Sequence, residues 1–189
     1  TSTVVVTVYA TPSAITGPGA VCAGAATTYS NGVAGGTWSS TNTSVATIGS
    51  TGTVTPIAAG TTTISYQMSA GCGVAKTITV NANPAAISGA SVVCVGSSGT
   101  LSCATPGGAW TSSATSVATI DGSGAYSGVS AGVATITYST GAGCFATFDI
   151  TVNPIPDAIT GGLTECIGGT STLSNTTSGG TWLSSNTAV

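Results

Sequence analysis

The stretch 38–48 reads WSSTNTSVATI, and the stretch 110–120 reads WTSSATSVATI. A third copy begins at Trp182 and reads WLSSNTAV. The spacing is constant, since Trp110 follows Trp38 by 72 residues and Trp182 follows Trp110 by 72. Aligned without a gap, residues 15–86 and 87–158 are identical at 32 of 72 positions. A fixed period without insertions indicates one folding unit copied in tandem, in which each copy mainly contacts its neighbours.

The period divides the 189 residues into two whole units and two incomplete ones. We expect the last strand of a preceding unit in 1–12, whole units in 13–84 (unit 1) and 85–156 (unit 2), and the first part of a further unit in 157–189 (the partial unit). Val6 and Val8 match inward positions of a unit's last strand. Because the chain starts and stops inside units, we expect it to be an excerpt of a longer protein.

The joints between units are short and rich in proline. They lie at 10–13, 81–86 and 153–158. Proline fixes its own φ and restricts the residue before it, so we expect these links to be stiff and extended. The sequence therefore predicts a rod-like array and not a flexible string.

Charged residues are almost absent, with one Lys, no Arg, no His and four carboxylates. Nucleic-acid binding is excluded because neutralising phosphates requires clustered Lys and Arg. Thr and Ser supply 63 of the 189 residues, so hydroxyls must face the water. No run of about 18 apolar residues occurs, so we expect the chain not to be embedded in a membrane.

Catalytic constellations are missing from the sequence. A nucleophilic Ser or Thr needs a neighbouring base, and the single Lys76 and the absence of His leave none. The carboxylates show neither a catalytic pair nor a calcium-binding D-x-D-x-D-G loop. We expect no enzyme activity, no metal site and no cofactor. The four carboxylates are Asp121, Asp149, Asp157 and Glu165.

The residue pattern predicts strands throughout. Short β-branched stretches alternate with Gly, Ser, Asn and Pro, and no 3.6-residue period is sustained. Seven or eight such stretches in about 70 residues are typical of a β-sandwich. Ile64 and Tyr66 lie two apart, as do Ile78 and Val80, so each pair should face the core from one side of its strand.

Other repeated positions carry further expectations about the core. Trp38 and Trp110 should lie centrally between the two sheets. Lys76 occupies an inward position where the next copy has Phe148. We expect the stem of this lysine to pack at the edge of the sandwich and its ammonium to reach water.

The motif that runs from tryptophan through SVATI to a glycine and then AGxxTI resembles the bacterial Ig-like domain of group 2. This module occurs in intimin- and invasin-type adhesins and many surface repeat proteins. The resemblance covers both whole units and the start of the partial unit. It implies an all-β fold of tandem Ig-like sandwiches, a secreted or cell-surface location, and a role as a spacer, adhesive rod or attachment module. It implies no catalytic residues. The regular cysteines and the scarcity of charge depart from the family pattern.

Six cysteines in a Thr-rich, almost uncharged chain indicate an oxidising, extracellular setting. A bond inside a unit, Cys22 to Cys72 or Cys94 to Cys144, is the simple arrangement. In an Ig-like sandwich, however, the first strand runs away from the hairpin that carries the second cysteine, which separates the two by roughly 20 Å at about 3.3 Å per residue. A bond between adjacent units, Cys22 to Cys144, and bonds between chains are the alternatives. Five cysteines occupy two repeated positions and are the disulfide candidates: Cys22, Cys94 and Cys166 at one, Cys72 and Cys144 at the other.

Cys103 breaks this pattern. It stands where unit 1 has Asn31 and the partial unit has Asn175. A free buried thiol and a cross-link to another chain are both open for it.

Two functions compete on the sequence alone. The first is an extracellular structural or adhesive rod or filament on a bacterial cell surface, whose partners are neighbouring repeats or copies of itself. The second is a surface module that binds host or surface glycans through exposed aromatic residues, for which Tyr9, Tyr29 and Tyr126 are the unassigned candidates. Asn42 and Asn175 begin weak Asn-x-Ser/Thr glycosylation sequons, and O-linked sugar on outward Thr would compensate for the missing surface charge.

Overall fold

The computed structural model describes residues 3–5, 8 and 11–187. These residues form strands and no helix, as the sequence predicts. Consequently no described segment is an apolar helix long enough to cross a membrane. The strands of unit 1 are β1 (Ala20–Cys22), β2 (Thr27–Thr28), β3 (Thr37–Ser40), β4 (Ala46–Ile48), β5 (Thr53–Pro56), β6 (Gly60–Gln67) and β7 (Gly73–Asn81).

Unit 2 repeats the same series of strands, and the partial unit adds one short pair. The strands of unit 2 are β8 (Val92–Cys94), β9 (Ser98–Thr100), β10 (Ala109–Ser112), β11 (Ala118–Ile120), β12 (Ala125–Gly128), β13 (Gly132–Ser139) and β14 (Phe145–Asn153). The pair in the partial unit is β15 (Thr160–Gly161) and β16 (Leu173–Ser174).

Each whole unit contains a four-stranded and a three-stranded sheet. In unit 1 the strand orders are β1-β7-β6-β3 and β2-β5-β4, and in unit 2 they are β8-β14-β13-β10 and β9-β12-β11. The first strand runs parallel to the last one, and the other pairings are antiparallel. This order is that of an Ig-like sandwich, so the predicted all-β, Ig-like fold is confirmed, and the rod-like arrangement of the units stays a prediction. Ahead of β1, unit 1 also forms a single isolated bridge between Thr16 and Ser30.

A long hairpin organises the core of each unit. In unit 1, β6 and β7 pair over eight residues, from Gly60 opposite Val80 to Gln67 opposite Gly73. The side chains of Ile64, Tyr66 and Ile78 are buried on its inner face, as their spacing predicts. Burial of each such side chain contributes about 1.5–3 kcal/mol to stability. The core of a unit therefore rests largely on the alternation along this hairpin.

The hydroxyl of the buried tyrosine on β6 ties the hairpin to a neighbouring loop. Tyr66 Oη donates a hydrogen bond to the carbonyl of Val33 (2.7 Å) and accepts one from the amide of Gly36 (2.8 Å). Unit 2 repeats both bonds through Tyr138. A buried phenol is thereby satisfied in both units.

The tryptophans lie less deep than the sequence predicts. Trp38 packs against Tyr66 with ring centroids 4.6 Å apart, and Trp110 packs against Tyr138 in the same way. Both indoles are nevertheless only half-buried. The physical reason is that β3 and β10 are edge strands, so one flank of each ring has no neighbouring strand to cover it.

Lys76 also differs from the expectation. Its stem is half-buried, but its ammonium donates a hydrogen bond to the carbonyl of Gly17 (2.5 Å). This bond replaces part of the hydration that the sequence led us to expect. At the matching position of unit 2, Phe148 packs against the edge of the core.

The incomplete units at either end bury little. Val4, Val5 and Val8 are exposed, no strand is found among the described residues of 1–12, and Val6 lies outside the described residues. In the partial unit, Trp182 is 57% exposed because no second sheet covers it. The domain boundaries at residues 12, 84 and 156 stay predictions.

Each core contains a fully buried tyrosine that the other core lacks, and the two tyrosines occupy different positions of the repeat. Unit 1 has Tyr29 and Val54, and the matching positions of unit 2 have Leu101 and Tyr126. All four side chains are fully buried. The large and the small residue have therefore changed places between the two strands that carry them, which keeps the core volume nearly constant.

Both tyrosine hydroxyls find the same partner position. Tyr29 Oη donates to the carbonyl of Pro18 (2.7 Å), and Tyr126 Oη donates to the carbonyl of Ala90 (2.9 Å), which is the matching residue of unit 2. Burial raises the pKa of Tyr29, so its hydroxyl stays protonated as a donor. A third position adjusts to the exchange: unit 2 has Gly99 where unit 1 has Thr27, and a Cβ at Gly99 would lie 2.7 Å from the ring of Tyr126.

We expect Tyr126→Val to destabilise unit 2 by about 2–4 kcal/mol, since it leaves a cavity and an unsatisfied carbonyl. The triple change Gly99→Thr, Leu101→Tyr and Tyr126→Val transplants the arrangement of unit 1 and should recover most of that loss. Denaturant unfolding measures both.

Leu101→Tyr alone is the matched control and should overpack the core, at a cost of about 1–3 kcal/mol. If the loss of unfolding free energy in the triple variant equals the sum of the losses in the three single variants, the three positions do not compensate one another.

Candidate functional site at the joint between the units

A disulfide bond joins the two whole units. Cys22 is bonded to Cys144, with their Cα atoms 5.6 Å apart and a sequence separation of 122. Cys22 is the last residue of β1 in unit 1. Cys144 lies at the tip of the hairpin between β13 and β14 in unit 2. The bond therefore connects the end of one sandwich to the hairpin tip of the next.

Strand directions explain why these two residues meet. Cys22 pairs with Asn81, the last residue of β7, so it lies at the end of unit 1 from which the chain passes into the joint. Cys144 precedes β14, which runs away from it and ends at Asn153, where the chain leaves unit 2. Cys144 therefore lies at the end of unit 2 opposite that exit, and this end faces unit 1.

Two hydrogen bonds, one from a side chain and one from the backbone, close the joint around the disulfide. Asn83 Nδ2, in the segment 81–86, donates a hydrogen bond to the carbonyl of Ala23 (3.0 Å). The amide of Ala23 donates to the carbonyl of Asn81 (3.0 Å). Pro84 is buried. The residue after Cys22 thus holds the linking segment on both sides.

The other repeated cysteines are unpaired in this chain. Cys72 occupies the hairpin position in unit 1 and is half-buried, and Cys94 ends β8 opposite Asn153 and is exposed. Cys166, in the partial unit, is also exposed. The bonds within a unit, Cys22 to Cys72 and Cys94 to Cys144, are not formed, because the two cysteines of one unit lie at opposite ends of the sandwich.

Cys103 replaces an asparagine in a contact that occurs three times. Its Sγ donates to the carbonyl of Ala85 (3.2 Å), and it is half-buried and unpaired. Asn31 Nδ2 donates to the carbonyl of Ser13 in the same manner, and Asn175 Nδ2 donates to that of Asp157. In each case the side chain holds the first residue of a unit beside the segment that lies 18 residues further along the chain.

The two sequons differ in accessibility. Asn42 is exposed, and its Oδ1 accepts hydrogen bonds from the amide (3.2 Å) and hydroxyl (2.6 Å) of Ser44, which leaves its amide nitrogen outside these bonds. Asn175 uses Nδ2 for Asp157, and its Oδ1 accepts a bond from the amide of Thr177 (2.8 Å). Asn42 is therefore the sterically open one, and glycosylation at either stays a prediction.

The carboxylates of Asp121 and Asp149 accept hydrogen bonds from nearby residues of their own unit. Hydrogen bonds from the side chain of Ser123 (2.7 Å) and from the amides of Ser123 and Ala125 hold the pKa of Asp121 below its usual value. Asp149 accepts a bond from Thr135 on the facing strand (2.7 Å). Among the described residues, no group of three or more Cys, Asp or Glu side chains is placed to hold a metal ion.

The aromatic candidates for a sugar platform are largely withdrawn from the surface. Tyr29 and Tyr126 are each 1% exposed and belong to the cores, so the expectation that either offers a stacking surface is wrong. A signal of this burial is present in the sequence, because Tyr29 matches Leu101 in unit 2 and Tyr126 matches Val54 in unit 1, so that each tyrosine aligns with an aliphatic residue of the other copy. Tyr9 lies outside the described residues.

We expect the double change Cys22→Ser and Cys144→Ser to lower the free energy of unfolding. In the chain-entropy model, closing a loop with a sequence separation of 122 stabilises the fold by about 5 kcal/mol. Denaturant unfolding of the oxidised chain and of the variant measures the difference.

Cys94→Ser is the matched control, since it removes the corresponding thiol of unit 2 without breaking a bond. An equal loss in both variants would show that the disulfide contributes nothing beyond the loss of a thiol.

Comparison with known proteins supports the fold. No known family profile matches the chain, and no curated protein matches its sequence. Among solved structures, the C-terminal 282-residue fragment of intimin, in complex with the intimin-binding domain of the translocated intimin receptor, is 18% identical, with a TM-score of 0.51 over 78% of this chain and 67% of the fragment.

Two other solved structures align less well. The S-layer protein rSbsC is 26% identical over 64% of this chain and 20% of its own length, with a TM-score of 0.28. Murine CEACAM1b is 14% identical over 73% of this chain and 96% of its own, with a TM-score of 0.30. The likeness to the intimin fragment carries the conclusion, which is that the chain has an Ig-like fold.

Proposed function

We propose that this chain is a stretch of an extracellular structural or adhesive repeat protein, which forms a stiff rod or stalk on a bacterial cell surface. One observation carries the proposal: a disulfide bond crosses the joint between two tandem sandwiches. Disulfides persist in oxidising compartments outside the cytosol. A bond at a joint constrains how two units are arranged, which is useful to a protein that must hold a shape.

The joint has two covalent connections, the segment 81–86 and the disulfide. A single linker lets two domains rotate about each other, whereas a second connection restricts that rotation to bending about the line that joins the two connections. The hydrogen bond of Asn83 to Ala23 and the burial of Pro84 stiffen the peptide connection further. These contacts support a rigid arrangement of unit 1 and unit 2.

The unpaired cysteines support a continued array. Cys94 lies at the end of β8 as Cys22 lies at the end of β1, and Cys72 lies in the hairpin of unit 1 as Cys144 lies in that of unit 2. Each therefore occupies the same position in its unit as one of the two cysteines bonded at the joint. Neighbouring repeats are therefore the proposed partners, with Cys94 bonding to the hairpin of a following unit and Cys72 to the first strand of a preceding one.

The surface chemistry supports a passive role. The outer face of the β6–β7 hairpin presents hydroxyls, such as Thr63 paired with Thr77, whose Oγ1 atoms lie 3.3 Å apart. Membership of the group 2 bacterial Ig-like domains, proposed from the WSSTNTSVATI motif, points to the same class of surface protein. The rival glycan-binding function gains no support from Tyr29 and Tyr126, which are core residues.

Completing the partial unit tests the continued array. If 157–189 is extended with a copy of residues 118–156, the added hairpin contains a copy of Cys144. We expect Cys94 to bond to that cysteine, and peptide mapping under non-reducing conditions identifies the linked pair. A bond from Cys94 to any cysteine of its own unit would contradict the proposal.

Location and shape are tested on native material. An antibody raised against unit 2 should label intact cells of the source organism, and electron microscopy should show the label along thin stalks or fibres. Labelling that requires permeabilised cells would overturn the proposed location. Labelled compact particles in place of elongated ones would overturn the rod.

A further inference from the structure

We propose that the Cys22–Cys144 bond diverts mechanical tension around the two cores, so that a pulled chain transmits force without unfolding its sandwiches. The proposal goes beyond a structural or adhesive role, because it assigns a mechanical path to particular residues. It rests on the connectivity of the bond and on the strands that lie beside it. It does not depend on where the protein is located.

The covalent path through the bond is short. From residue 13 the chain reaches Cys22 in nine residue steps, crosses the disulfide, and continues from Cys144 to residue 156 in twelve. The bond thereby bypasses a sequence separation of 122. Tension applied at the two ends of the double unit follows this path, since a shorter covalent connection becomes taut first.

The segments on this path are already extended. In unit 1 the tension passes through β1, and in unit 2 it passes along the whole of β14 from Phe145 to Asn153. A strand rises about 3.3–3.4 Å per residue, and a fully extended chain spans at most about 3.3–3.6 Å per residue. Little length therefore remains to be gained by pulling on these two segments.

The direction in which β14 is pulled leaves its hydrogen bonds to the neighbouring strands unloaded. Tension enters at one end of this strand and leaves at its other end, so it stretches β14 along its own axis. It does not slide the strand past its neighbours. β14 is held by eight residue pairs with β13 and three with β8, and its side chains Ile150 and Val152 are buried in the core.

Without the bond the same pull loads the fold differently. Tension would enter unit 1 at residue 13 and leave through the joint at residue 84. It would then draw β1 and β7 in opposite directions. These strands are parallel and share three register pairs, Ala20 with Thr79, Val21 with Val80, and Cys22 with Asn81. Once that short ladder shears, the core opens and the whole unit extends.

Single-molecule force spectroscopy on the full chain tests the proposal. Peptide tags at both termini provide the handles, and Cys72, Cys94, Cys103 and Cys166 are changed to Ser so that one cysteine pair remains. We expect the oxidised chain to show no sandwich-unfolding steps. After reduction, two steps should appear, and the final contour length should be greater by about 400–440 Å, given the separation of 122 and about 3.3–3.6 Å per residue.

The matched control adds Cys22→Ser and Cys144→Ser to the same background. It should unfold in two steps whether or not a reductant is present. Intact mass on the same preparation shows whether the bond is present, since its formation removes two hydrogens. The proposal is overturned if the bonded chain extends as far as the control, or if the two thiols stay reduced in air-oxidised protein. If the bonded chain resists unfolding as expected but the antibody against unit 2 labels only permeabilised cells, the proposed function is refuted and the mechanical proposal stands.

Discussion

The long hairpin of each unit is the constraint on which the rest of the structure depends. In unit 2 it pairs β13 with β14 over eight residues, and its inner face supplies Ile136, Tyr138 and Ile150 to the core. A register slip of one residue would turn this whole set of side chains outward. The same register places Cys144 at the tip that faces unit 1. Core, tyrosine contacts and joint are therefore fixed together by one antiparallel ladder.

The hairpin was also what the sequence revealed most clearly. Spacing of two between Ile64 and Tyr66 and between Ile78 and Val80 predicts their inward direction, because side chains alternate along a strand. The depth of Trp38 was not predictable in this way. Depth depends on whether a neighbouring strand covers the ring, and the position of β3 at the sheet edge follows from topology and not from local pattern. The role of Lys76 was missed for a related reason, since its partner Gly17 is distant in sequence.

Comparison of the two copies shows how a repeat can diverge without losing its core. Tyr29 and Tyr126 look unrelated when each position is compared by itself. Considered jointly with Leu101 and Val54, they form one exchange of a large and a small residue. Cysteine connectivity needed a different kind of information. Spacing alone allows a bond within a unit or across the joint, and the parallel pairing of β1 with β7 decides between them.

The two connections at the joint also affect what happens when the backbone is cut. The disulfide encloses the segment between Cys22 and Cys144, which includes the exposed residues of the linker and most loops of both units. A protease that hydrolyses one peptide bond anywhere in this segment opens the ring but leaves both fragments attached. Such a nicked molecule keeps its continuity from one end to the other, and only a second chemical event, reduction, would separate the pieces. In the presence of a protease, the bonded chain thus tolerates a cut that would sever a singly linked chain.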